Sequence, residues 1–64
     1  MKLNGEIIEL AAPVTLAELL AEKGFSTNRV AVERNGEIVP KKEYETTMLQ
    51  NDDVLEVVSF VGGG

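Results

Sequence analysis

Residues 14–25 read VTLAELLAEKGF, and both ends of this stretch carry their own punctuation. Thr15 followed three positions later by Glu18 is a capping box, in which each side chain accepts the backbone N–H of the other residue. Val14 and Leu19 fall at the N′ and N4 positions of a hydrophobic staple. Leu16, Leu19 and Leu20 recur at helical spacing on one face, with Lys23 at its rim. Gly24 stands where a left-handed residue closes a helix, and Phe25 can fold back on Leu20 to complete a Schellman motif. The spacing predicts a helix of roughly eight residues, too short to be stable alone. Its leucine face must be docked on other elements.

Those elements are written on either side of it. Residues 1–10, MKLNGEIIEL, and residues 30–39, VAVERNGEIV, each hold an Asn-Gly pair between short strand-like runs. A type I′ turn needs positive φ at both central residues, which Asn and Gly tolerate best, and its twist suits a two-residue hairpin. In the first hairpin Met1, Leu3, Ile8 and Leu10 are expected on one face with Glu6 at the rim, and Lys2, Ile7 and Glu9 on the other. In the second, Arg34 and Glu37 flank the turn and are expected to form an exposed pair of little consequence. Residues 40–53, PKKEYETTMLQNDD, are less regular. Pro40 ends the fourth strand, Tyr44 is expected as a partly buried anchor, 47–49 as a short strand and 51–53 as a turn. A closing strand begins at Val54, with Leu55 and Val57 on one face and Glu56, Val58 and Phe60 on the other.

The predicted order is two strands, a helix, two strands, an irregular segment and a last strand that must pair centrally. It describes an α+β two-layer domain. The ubiquitin-like β-grasp has this order: a mixed sheet of roughly four or five strands with one helix on one face, the last strand parallel to the first. Residues 1–61 are expected to form that single domain and 62–64 a flexible glycine tail. No interdomain linker and no repeat beyond the two turns is evident.

Composition removes several function classes. Six Lys and Arg stand against eleven Asp and Glu, a net charge of −5, which disfavours nucleic acid as the main partner. No run approaches the ~20 apolar residues of a membrane span, and the N-terminus lacks a basic-then-apolar export signal, so the cytoplasm is the expected location. Cys and His are absent, removing disulfides, thiolate nucleophiles and the common zinc ligands. Ser26 and Ser59 have no histidine to activate them. Adjacent carboxylates such as Asp52–Asp53 and Glu43–Glu45 read as solvated charges. No catalytic residue, cofactor site or metal site is expected.

What is left is the end of the closing strand, VLEVVSFVGGG, residues 54–64. A frayed tail is the ordinary reading of terminal glycines. Read as the chain end, though, Gly64 carries a free α-carboxylate with no spacer between strand and tail. Three extended residues span about 10 Å, enough to thread a narrow channel. Lacking Cβ atoms, they allow close approach of another enzyme's groups. A carboxylate is a poor acyl donor until it is converted into something like an acyl-adenylate, and no residue of this chain can perform that step.

The short LNGE opening, the TLAELL helix, VAVERNGEIVP and the DDVLEVVSFVGGG close together resemble the sulfur carrier proteins of thiamine (thiazole) biosynthesis, the ThiS family, over essentially the whole chain. The resemblance implies that a ThiF-type enzyme adenylates the Gly64 carboxylate with ATP. Sulfur derived from cysteine, as by a desulfurase, then converts it to a thiocarboxylate, which is handed to the thiazole synthase ThiG. It maps Gly63 and Gly64 onto the family's diglycine, with Gly62 as an extra flexible residue, and makes Val58, Phe60 and Val61 docking candidates. Other readings stay open: the small subunit of molybdopterin synthase (MoaD), a carrier for cysteine or siderophore synthesis, a ubiquitin-like protein modifier, or a binding module with a passive tail.

Overall fold

The computed structural model describes residues 1–60. The elements in chain order are β1 (Lys2–Leu3), β2 (Glu6–Ile7), β3 (Val14–Thr15), α1 (Leu16–Glu22), β4 (Val30–Arg34), β5 (Glu37–Ile38), a 3₁₀ turn (Lys41–Glu43), β6 (Met48–Leu49) and β7 (Val54–Ser59). A five-stranded sheet runs β2-β1-β7-β4-β5. β7 lies parallel to β1 and antiparallel to β4, so the last strand is the centre of the sheet. With α1 this is the expected mixed-sheet β-grasp.

Both hairpins turn as their Asn-Gly pairs require. Asn4 and Gly5 have φ of 50° and 85°, Asn35 and Gly36 of 53° and 86°. The resulting registers, Lys2↔Ile7 and Arg34↔Glu37, fix which side chains face the helix. Met1 and Leu3 are buried, Ile8 and Leu10 pack half-buried against them, and Ile7 is left outside.

The helix, seven residues long, is one residue shorter than its sequence suggests, because Lys23 is already its C-cap. The Glu18 N–H donates to Thr15 Oγ1 at 3.1 Å, and the Thr15 N–H donates to Glu18 Oε1 at 2.8 Å. These bonds hold the Glu18 carboxyl below its ordinary pKa, the backbone bond contributing most. At the other end the N–H groups of Phe25 and Gly24 donate to the carbonyls of Leu20 and Ala21 at 2.9 and 3.1 Å. That is the Schellman pairing. Leu16, Leu19 and Leu20 are buried, each contributing about 2 kcal/mol on leaving water. They join Val30, Val32, Tyr44, Leu49, Leu55 and Val57 in one core cluster. Replacing Thr15 by Ala is expected to cost about 1 kcal/mol, read as a lowered midpoint in thermal unfolding with the helix content of the native state unchanged.

Three expectations are corrected. Val14–Thr15 is a strand as well as a helix entry: it pairs antiparallel with Met48–Leu49, the short strand expected at 47–49, in a separate two-stranded sheet. Two-residue strands carry no readable periodicity. Tyr44 is buried rather than partly so, because the Ala17 N–H donates to its carbonyl and draws it under α1. The third concerns Arg34 and Asp53. Arg34 forms its ion pair with Asp53, Nη2 to Oδ2 at 3.0 Å, not with Glu37 across the turn. Asp53, expected to be solvated, is 4% exposed.

Candidate functional site

The candidate residues of the sequence lie on or after β7, so the site is built from what holds that strand. Each hairpin asparagine works twice. Asn4, besides forming its turn, accepts the Val57 N–H at Oδ1 (2.7 Å) and donates from Nδ2 to the Val57 carbonyl (3.2 Å). Its backbone N–H donates to the Leu55 carbonyl at 2.9 Å. The side-chain amide thus continues the β1–β7 ladder past the turn. Asn35 does the same from the other side: Val54 N–H donates to its Oδ1 at 2.9 Å, and its own N–H donates to the Val54 carbonyl at 2.8 Å. Gly or Asp would tolerate the turn, but only an amide supplies both donor and acceptor.

Asp53, the residue before β7, locks the strand's start. Its carboxylate accepts from the Gln50 N–H (2.8 Å), Arg34 Nη2 (3.0 Å) and Asn35 Nδ2 (3.0 Å). Burial pushes its pKa up. The hydrogen bonds from Gln50, Arg34 and Asn35, with the Arg34 charge, outweigh that and hold it below the ordinary carboxylate value. At the far end the Phe60 N–H donates to the Arg29 carbonyl at 2.7 Å. The backbone leading into the glycines is therefore fastened up to the last described residue. Neither asparagine nor Asp53 was a candidate in the sequence. The Asn-Gly pairs signal the turns, but nothing local signals a bond to a partner some 18 to 53 positions away.

Of the docking candidates, Val58 and Phe60 lie on the open sheet face, 61% and 56% exposed. Val61, Gly62, Gly63 and Gly64 lie outside the described residues. Among the described residues no group of three or more acidic side chains is placed to hold a metal ion, and no helix is long and apolar enough to cross a membrane. A surface depression of about 500 Å³ between Leu10–Pro13 and Met48–Asn51 contains no group suited to catalysis.

Comparison with known proteins gives concordant results. The model of the ThiS family matches residues 1–64. The chain is 40% identical over 65 residues to the sulfur carrier protein ThiS of Bacillus subtilis, covering all of this chain and 98% of that one. It is 47% identical over 62 residues to a thiazole synthase of Paramagnetospirillum magneticum and 48% identical over 62 residues to that of Magnetococcus marinus. In both cases the match takes in 97% of this chain but spans only 19% of the relative's length. The crystal structure of a ThiS thiamine biosynthesis protein from Geobacter metallireducens superposes with a TM-score of 0.75 at 32% identity, over 98% of this chain and 96% of the other.

Proposed function

The chain belongs to the ThiS family, and from that premise we propose that it is a sulfur carrier of thiamine biosynthesis, working in the cytoplasm, with the Gly64 carboxylate as its reactive group. It acts as a co-substrate, not a catalyst. One carboxylate oxygen attacks the α-phosphorus of ATP on a ThiF-type enzyme, and pyrophosphate leaves. A persulfide originating from a cysteine desulfurase then attacks the acyl carbon and AMP leaves. A thiol cleaves the S–S bond of the resulting acyl disulfide, freeing the thiocarboxylate. All the thiols in this sequence belong to partners, because the chain has no cysteine.

One observation carries the reading. The strand that precedes 61–64 is the central one, held by Asn4, Asn35 and Arg29, with Asp53 fixing Asn35. A base already fixed before a partner binds leaves less ordering to be done when the partner engages it. Val58, Phe60 and Val61 supply the docking contact beside that base. The matched segments within two thiazole synthases favour an enzyme of that kind, ThiG, as the acceptor, over the molybdopterin and protein-modifier readings.

The first half-reaction tests this. The full chain incubated with the organism's own adenylating enzyme is expected to make ATP–pyrophosphate exchange rise with added chain and level off at saturation. Exchange no faster than with the enzyme alone would count against Gly64 as an acyl donor.

A further inference from the structure

Five of the six large hydrophobic residues left exposed among the described residues (Ile7, Ile38, Val54, Val58 and Phe60) belong by register to the open face of the five-stranded sheet. Near its centre the register sets Glu33 on β4 directly opposite Glu56 on β7. Directly paired residues place their Cβ atoms about 5 Å apart, and like charges so placed oppose folding. Among the described residues neither forms an ion pair. Lys2 stands one row away, opposite Ile7 and Val54, and Arg29 lies beside Phe60. The one ion pair among the described residues is Arg34–Asp53, on the other side of the sheet.

We propose that the Glu33–Glu56 pair is the specificity determinant of this face, and that it receives an arginine of the adenylating enzyme set among apolar side chains. The proposal rests on the docking reading above and adds to it the chemistry of the partner. Ile38 and Val58 border the carboxylate pair across the strands and along them, so a partner that covers these apolar side chains shields the cation it brings from water. A guanidinium suits two carboxylates about 5 Å apart better than an ammonium, because its planar fork presents donors to both. A second copy of the chain is a poor occupant: face to face it would bring four carboxylates together on chains of net charge −5. The acidic balance repels anionic lipid headgroups in the same way.

The test is titration calorimetry of the full chain against the adenylating enzyme at low and physiological salt, with thermal unfolding of each variant. E33Q/E56Q is expected to unfold no lower than wild type, because a repulsion is removed, yet to bind about tenfold or more weaker and to lose most of its salt dependence. E33D/E56D is expected to bind nearly as wild type. Phe60→Ala is expected to weaken binding while keeping the salt dependence. If E33Q/E56Q binds as wild type while Phe60→Ala does not, the arginine proposal is wrong and the docking reading stands. If both bind as wild type, both readings are wrong. Self-association of the chain that strengthens in E33Q/E56Q would make a second copy the occupant and overturn the proposal.

Discussion

One residue appended after Gly64 is expected to lower the rate of adenylation by ~100-fold or more, with no change in thermal unfolding. The extension moves the reacting carboxylate by about 3.5 Å, far outside the tolerance of an in-line attack on a bound nucleotide. Gly63→Val is expected to do the same by another route. A branched side chain next to the reacting residue meets the walls of any channel narrow enough to exclude water. The core cluster of the described residues draws its last member from Val57, and both changes lie beyond it in sequence. Measured together, pyrophosphate exchange and the unfolding midpoint separate the two effects. Near-normal exchange in either variant would mean that the partner's channel is open, and the close-approach argument for glycine would fail.

The second large effect falls on stability. Asp53→Ala removes a buried carboxylate that takes three hydrogen bonds and leaves the half-buried Arg34 guanidinium with only the Met48 carbonyl as partner. Breaking one side of a fully buried pair costs about 3–5 kcal/mol, and with Arg34 partly exposed the cost here is expected at the low end, about 3 kcal/mol. A chain of 64 residues has roughly 3–10 kcal/mol in all, so much of this variant should be unfolded at 37 °C. Asp53→Asn should lose less, because its amide oxygen still accepts. The sign with pH follows from the direction of the shift. Asp53 titrates lower in the folded chain than its ordinary value of 3.8. Its contribution is therefore fully present above that value and is lost as pH falls from there through the lower folded value. In urea titrations wild type should lose stability more steeply than Asp53→Asn across that acid range. Parallel curves would remove Asp53 from the account of acid stability.

The contrast between these two sites shows what could be read from residues alone. The turns at Asn4–Gly5 and Asn35–Gly36 and the capping box of Thr15 and Glu18 were legible, because their requirements are met within four consecutive residues. The alternation of Leu55 and Val57 against Glu56, Val58 and Phe60 was legible because a strand's two faces follow from its period. Asp53 was misread because burial of a carboxylate depends on partners 18 and 19 positions away, and no local pattern reports them. The β3–β6 pairing escaped for the same reason, since Val14–Thr15 already had a complete reading as a helix entry. For the candidate site, the sequence supplied the glycines and the exposed side chains. It did not supply the clamps of Asn4, Asn35 and Asp53 that fasten the strand beneath them.

The central claim is that sulfur ends on the last residue. Incubating the chain with the adenylating enzyme, ATP, a cysteine desulfurase and cysteine, then taking the intact mass, tests it most directly. The account predicts a new species in which one oxygen of the Gly64 carboxylate is replaced by sulfur, formed only when ATP is present. A chain of unchanged mass, or one recovered joined through Gly64 to lysines of other proteins, would contradict it.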